Sequence, residues 1–83
     1  MFFAYILKSV GSGKYFTGVT DNLEESVTKH NEGYIEHTKN KGPFILIYKE
    51  EFQTRSEAQE RENYLKSLRT KEDVEKLIRA AFV

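Results

Sequence analysis

The chain has 83 residues and carries thirteen basic against thirteen acidic residues, so its formal net charge is zero. At this length we expect one domain over residues 1–83. The absence of cysteine excludes disulfides, thiol catalysis, iron–sulfur clusters and thiolate zinc sites. The charge balance excludes the overall positive field of a nucleic-acid coat protein, so a local patch must bind any nucleic acid.

The first ten residues, MFFAYILKSV, are apolar but lack a basic leader and a cleavage site. This composition predicts that they are not a signal peptide. No apolar run approaches the roughly 18 residues that are needed to span a bilayer. We therefore expect a cytoplasmic protein that makes no contact with a membrane.

Two apolar runs and one turn predict three β-strands. Phe2 to Leu7 is apolar throughout, which is typical of a central strand that is covered on both faces. Gly11-Ser12-Gly13 supplies a turn, and Tyr15 to Thr20 returns as the second strand of a hairpin. Phe44 to Tyr48 is another strand with two apolar faces, and the charged residues 49–51 mark its exit into solvent.

The first helix is predicted between the hairpin and the third strand. Asp21 or Thr20 can cap it, with Glu24 three residues after Asp21 as in a capping box. Gly33 ends the helix in the position after its C-cap. The polar segment Tyr34 to Gly42 that follows is a predicted surface loop.

Two further helices follow the third strand. Thr54 and Glu57 form a second capping box, which opens a helix to about Leu68. Thr70 caps a third helix, whose apolar face repeats at i, i+3, i+4 and i+7: Val74, Leu77, Ile78 and Ala81. The order ββαβαα predicts an α+β domain in which helices flank a three-stranded sheet.

Glu62 breaks the pattern of the second predicted helix. It lies on the apolar face, four residues after Ala58 and three before Leu65. A carboxylate there loses solvation, at a cost of several kcal/mol unless a cation or a hydrogen-bond donor compensates. Either Glu62 turns sideways to Lys66, its i+4 neighbour, or it is a site carboxylate, and the helix pattern alone favours the first interpretation.

Three other polar side chains require an interpretation. His30 lies on the apolar face of the first helix, one turn after Ser26, and is either a core histidine or a ligand. Tyr5 faces the core from the first strand, where its hydroxyl needs a partner if it is buried. His37 has no partner at a useful spacing and is interpreted as a loop residue.

Several short segments follow one another in a specific order over about Phe2 to Ile78. They are Ala4-Tyr5-Ile6-Leu7, Thr17-Gly18, Leu23, His30-Asn31, Pro43-Phe44 and Glu57-Ala58 to Lys66. Together they resemble the GIY-YIG nuclease superfamily, and in particular its small single-domain bacterial members, which are related to the N-terminal domain of excinuclease C. The resemblance implies a three-stranded sheet flanked by helices. It also implies cleavage of DNA phosphodiesters with one divalent metal, Mg²⁺ or Mn²⁺.

The resemblance also implies roles for individual residues. It places the metal-ligating glutamate on Glu62, where the ion would act as a Lewis acid and template for the scissile phosphate. It places the tyrosine of the first motif on Tyr5 and the helix histidine on His30, both in the network around the attacking water.

The chain departs from the family pattern at three positions. The first motif reads Phe3-Ala4-Tyr5 and lacks its glycine; Phe16 stands where the second motif has tyrosine; Ser26 stands where the helix has its catalytic arginine. Loss of such a donor typically lowers the rate by about 10²–10³, and loss of a phosphoryl-transfer arginine by up to about 10⁵. Residues 21–36 carry five acidic side chains against one lysine, a net charge of −4 that repels DNA.

Basic side chains elsewhere could bind backbone phosphates. They are Lys39, Lys41 and Lys66, with Arg61, Arg69 and Lys71 as further candidates. The small size and the lack of an attached DNA-binding domain lead us to expect little sequence specificity, because reading bases requires an element that enters a groove. Two hypotheses remain: a metal-dependent DNA endonuclease with a degenerate site, or a catalytically impaired relative that acts as a nucleic-acid or protein interaction module. The sequence does not indicate an oligomeric state.

Overall fold

The computed structural model of the chain describes residues 1–35, 38–68 and 70–81. The elements are β1 (Phe2–Ser9), β2 (Tyr15–Thr20), α1 (Leu23–Asn31), β3 (Phe44–Phe52), α2 (Arg55–Lys66) and α3 (Lys71–Ala81). The predicted α+β fold and the order ββαβαα are confirmed. The predicted loop position of His37 and the candidate phosphate contact Arg69 lie outside the described residues.

The strands form an antiparallel sheet in the order β2-β1-β3, so β1 is central as predicted. Alternate residues of a strand point to opposite faces, so β1 supplies two cores. On one face, Ala4 and Ile6 pack with Leu65 of α2 and Val74 of α3. On the other, Tyr5, Leu7 and Phe44 pack with Phe16 and with Leu23 and Val27 of α1. We call these the α2 face and the α1 face of the sheet.

The N-cap of α1 corrects one prediction. The capping residue is Asn22, and neither Asp21 nor Thr20 has that role. The Asn22 side-chain oxygen accepts a hydrogen bond from the backbone N–H of Glu25 at 3.1 Å. Asparagine caps helices as well as aspartate does, so the capping interaction is shifted by one residue from the predicted one.

The other predicted capping residues are confirmed, although α2 ends at Lys66 and not at about Leu68. Gly33 follows the C-cap of α1 with a φ of +82°, a conformation that suits glycine. Thr54 caps α2 by accepting from the N–H of Glu57 at 3.2 Å. Thr70 Oγ1 accepts from the N–H of Asp73 at 3.1 Å at the start of α3.

The third strand is longer and more exposed than predicted. Residues 49–51 lie inside β3 and pair with β1. Their charges do not end the strand because β3 is at the edge of the sheet, where side chains can point into solvent. For the same reason Ile45 and Leu46 are 50% and 38% exposed, so the prediction of two covered faces is wrong for this strand.

Candidate active site at the β2 edge

Tyr5 is the centre of a hydrogen-bond network on the α1 face. Its side chain is buried, and its hydroxyl lies 2.9 Å from Ser26 Oγ and 3.1 Å from His30 Nε2. Ser26 and His30 are four residues apart, so both project from the same side of α1. The structure therefore brings together three residues that the sequence singled out separately.

Thr38 extends this network to the loop between α1 and β3. Thr38 Oγ1 lies 2.7 Å from His30 Nδ1 and 3.4 Å from the carbonyl oxygen of Ile35. Both ring nitrogens of His30 therefore face a hydroxyl, that of Thr38 at Nδ1 and that of Tyr5 at Nε2. Which of these atoms donates depends on the tautomer of His30.

Gly18 allows Tyr5 to take this position. The two residues are directly opposite in the β1–β2 ladder. A Cβ atom on Gly18 would lie 2.5 Å from Tyr5 Cζ and even closer to its hydroxyl oxygen, which no side chain could accommodate without displacement of the ring. The glycine of the second motif therefore leaves room for the Tyr5 ring across β2.

Glu62 occupies the α2 face, where its side chain is 8% exposed. Thr17 Oγ1 donates to Oε2 at 2.9 Å, and Gln59 Nε2 donates to Oε1 at 2.8 Å. Lys66 Nζ lies 3.6 Å from Oε2, but its own side chain is 58% exposed. Glu62 thus has the lysine neighbour that its helix pattern favoured, and it is also buried with donors on both oxygens, as a site carboxylate would be.

The two halves of the site lie on opposite faces of the sheet and meet at the edge strand β2. Thr17 points to Glu62, and the next residue, Gly18, faces Tyr5. The pKa of Tyr5 is raised above its ordinary value of 10.0, chiefly because burial disfavours the phenolate; the Ser26 hydrogen bond opposes this effect, and the negative charge of Glu62 adds to it. The negative charge of Glu62 on the α2 face therefore affects the ionisation of Tyr5 on the α1 face.

Phe16, which the resemblance places at the tyrosine of the second motif, also lies at this edge. Its ring packs edge-on against Phe44, with ring centroids 5.4 Å apart. Lys41 Nζ lies 5.6 Å from the centroid of the Phe16 ring. Phe16 lines a cavity of about 580 Å³ together with Thr17, Glu62 and Lys66.

The predicted basic residues are not all near this edge. Lys66 lines the Glu62 cavity, and Lys41 lies over Phe16. The Lys39 side chain instead runs beside Gly33, beyond the end of α1. Arg61 forms an ion pair with Glu50 at 3.0 Å.

Comparisons with known proteins identify the family of the chain. Residues 1–76 match the family model of the GIY-YIG catalytic domain. The chain belongs to the GIY-YIG family. A UPF0213 protein of Clostridium perfringens is 44% identical over 69 residues, which are 82% of this chain and 73% of that protein. A UPF0213 protein of Staphylococcus haemolyticus is 38% identical over 66 residues, with 78% and 79% of the two chains covered.

A solved GIY-YIG relative has a similar fold. The solution NMR structure of a UPF0213 protein from Bacillus halodurans matches with a TM-score of 0.57 and 29% identity, over 96% of this chain and 85% of that one. The predicted resemblance to small bacterial GIY-YIG proteins is confirmed. Membership of this nuclease family implies a nucleic-acid substrate. Among the described residues, no helix is long and apolar enough to cross a membrane.

Proposed function

We propose that this GIY-YIG domain is a divalent-metal-dependent DNA endonuclease with a low rate of phosphodiester hydrolysis. The observation that carries the proposal is the buried carboxylate of Glu62, which lies beside a cavity and close to the Tyr5–His30 network at the same strand edge. Burial of a carboxylate is expensive, so a buried carboxylate beside a cavity is a candidate for function.

The donor set around Glu62 fits one kind of metal site. Within the described parts of the chain, no three His, Cys, Asp or Glu side chains are grouped to form a protein cage. Mg²⁺ is commonly held by one or two carboxylates, with water and substrate phosphates completing its coordination. Glu62 fits that pattern as the protein ligand. When bound, Mg²⁺ or Mn²⁺ supplies positive charge that stabilises the developing charge on the phosphate oxygens.

The protein's own groups are arranged to handle a proton. The raised pKa of Tyr5 keeps its phenol neutral at physiological pH. A neutral tyrosine can accept a proton from the attacking water only if it passes its own proton on, and His30 Nε2 is the acceptor at 3.1 Å. In this proposal the His30 proton lies on Nδ1, toward Thr38 Oγ1 at 2.7 Å, so that Nε2 can accept the Tyr5 proton. In this proposal Tyr5 and His30 contact the reacting groups, and Thr38 positions them.

The rate is expected to be low because two donors are missing. Ser26 provides a hydroxyl where the family has a guanidinium, and that hydroxyl contacts Tyr5. Phe16 provides no hydroxyl at all. Loss of a transition-state donor typically lowers kcat by about 10²–10³.

A second function is favoured by a specific observation. In the free protein, Ser26 contacts Tyr5, and both oxygens of Glu62 have donors, so the polar groups are satisfied without substrate. Such a site is also consistent with a catalytically impaired domain that binds nucleic acid or protein.

Nicking of supercoiled plasmid in Mg²⁺ or Mn²⁺ tests the proposal. The wild type is compared with Glu62→Gln and with a matched control, Glu60→Gln, whose residue is exposed on the same helix. We expect nicking by the wild type and the control, and its loss in Glu62→Gln. Equal activity of the wild type and Glu62→Gln contradicts the nuclease function. DNA binding without nicking above the Glu62→Gln background supports the interaction module instead.

A further inference from the structure

A groove runs from the Glu62 cavity around the turn between β1 and β2. Next to that cavity is a second one of about 510 Å³, and next to the second is a third of about 420 Å³. The first and second cavities share Lys66, and the second and third share Ser12 and Lys14. Phe16 lines both the first and the third. We call this continuous path, with Lys66, Lys14 and Lys41 along it, the hairpin groove.

The hairpin groove has the charge that an anionic ligand needs. Its second and third cavities are lined by lysine, serine, glycine and asparagine residues together with Tyr15, Phe16 and Leu68, with no carboxylate among the described residues that line them. Within the described residues, Lys14 and Lys41 form no ion pair, whereas Lys29 is paired with Glu25 at 2.8 Å. Two positive charges without acidic partners therefore face one path.

The walls of the groove are tied together by hydrogen bonds. Ser9 is 1% exposed, and its Oγ donates to the Lys41 carbonyl at 2.8 Å and accepts from the N–H of Ser12 at 3.3 Å. The N–H of Val10 donates to the Pro43 carbonyl at 3.0 Å. These hydrogen bonds fix the β1–β2 turn relative to the segment before β3, so a ligand does not have to order the backbone when it binds.

We propose that the hairpin groove holds the backbone of one DNA strand that leads into the Glu62 cavity, with Lys14 and Lys41 each neutralising a phosphate. The groove passes from the α2 face to the α1 face around a hairpin, in a molecule whose longest extent is 32 Å. A duplex has a persistence length of about 50 nm and cannot follow that bend, whereas a single strand can. That the DNA strand leads into the Glu62 cavity rests on the proposed function, whereas its binding in the hairpin groove does not.

Lys41 of the hairpin groove also lies near the Glu62 cavity. Its ammonium lies 5.6 Å from the Phe16 ring centroid, and Phe16 also lines the Glu62 cavity. Lys41 itself lines the third cavity, so its positive charge is separated from the Glu62 cavity by the Phe16 ring.

The test is binding of a fluorescein-labelled single-stranded oligonucleotide, followed by anisotropy in EDTA over a series of salt concentrations. Each phosphate neutralised on a single strand contributes about −0.7 to the slope of log K against log salt. Lys14→Gln and Lys41→Gln should each lower the steepness by about 0.7, which corresponds to about fivefold weaker binding at about 0.1 M salt; the double variant should bind about 25-fold more weakly. Lys76→Gln, an exposed lysine on α3, is the matched control and should leave the slope unchanged.

Three outcomes would overturn the proposal: no binding by the wild type at about 50 mM salt, equal slopes for Lys14→Gln and Lys76→Gln, or tighter binding of a blunt duplex of the same length. EDTA removes divalent metal, so none of these readouts depends on catalysis. If the slopes change as expected while the wild type cleaves neither plasmid nor the same single-stranded oligonucleotide in Mg²⁺, the nuclease function is wrong and the groove assignment stands.

Discussion

Gly18→Ala tests the packing on which the candidate site depends. The added Cβ would lie 2.5 Å from Tyr5 Cζ and 3.0 Å from Cε1, whereas carbon atoms pack at about 3.5–4.0 Å. The ring must therefore move by about 1 Å. Its hydroxyl is held at 2.9 Å by Ser26 and at 3.1 Å by His30, so a shift of that size breaks or weakens both hydrogen bonds.

The magnitude follows from three contributions. Overpacking of a core position costs about 1–3 kcal/mol, and each weakened hydrogen bond about 0.5–1.5 kcal/mol. Replacement of a glycine within a strand returns about 0.5–1 kcal/mol through the unfolded state. We expect a net loss of about 3 kcal/mol in the free energy of unfolding, or roughly 12–24 °C in Tm for a domain of this size.

Urea denaturation followed by circular dichroism measures this loss. Gly11→Ala is the matched control, because a Cβ on Gly11 meets no atom within 4 Å, and its effect should stay within about 0.5 kcal/mol. A second variant, Gly18→Ala with Tyr5→Leu, removes the clashing ring and should show strong coupling in a double-mutant cycle. A difference of less than about 0.5 kcal/mol between Gly18→Ala and Gly11→Ala would refute the reasoning.

Two further predictions concern Tyr5 and its neighbour. The raised pKa of Tyr5 means that its contribution to stability is complete below pH 10.0 and is lost as the pH rises through the folded-state value. The unfolding free energy of the wild type should therefore fall more steeply with pH in that range than that of Tyr5→Phe; parallel curves from urea titrations would contradict the assignment. Ser26→Arg places a guanidinium beside Tyr5, so it should lower the pKa of that phenol in an ultraviolet titration and raise plasmid nicking by about 10²-fold. Nicking that stays unchanged while the phenol pKa falls would show that charge at this position does not limit the reaction.

Much of the fold could be predicted because local pattern and tertiary structure agree. An apolar run with no polar alternation predicted the central strand β1, and the capping residues Thr54 and Thr70 predicted where α2 and α3 begin. The length of β3 was harder, because charged residues are compatible with an edge strand and only the pairing with β1 shows where it ends.

The candidate site was predictable where a residue broke its own pattern. Glu62 on an apolar helix face indicated a compensating environment, and Gln59, three residues earlier on that helix, could have been named as a partner. Strand alternation could also have indicated Thr17 as a partner, because it places the Thr17 side chain on the α2 face, where Glu62 lies. Thr38 gave no signal in the sequence, because its contact with His30 depends on the path of the loop that joins α1 to β3.

Asn31 illustrates the same limit. Its side chain accepts from the N–H of Phe44 at 2.7 Å and donates to the carbonyl of Phe44 at 3.3 Å, and so it fastens the end of α1 to the start of β3. An asparagine in the last turn of a helix is common and predicts no such contact. Only the approach of the two elements in three dimensions reveals it.

The position of the site on both faces of one strand has a consequence for how the protein can change. The groups proposed to handle the proton are Tyr5 of β1 and His30 of α1, the carboxylate belongs to α2, and the step from Thr17 to Gly18 joins the two. Ser26 and Glu62 have no hydrogen-bond partner in common, so one helix can exchange a candidate site residue, such as serine for arginine at position 26, while the hydrogen bonds of the other stay in place. Gly18 cannot be exchanged in this way, because any side chain there would displace Tyr5.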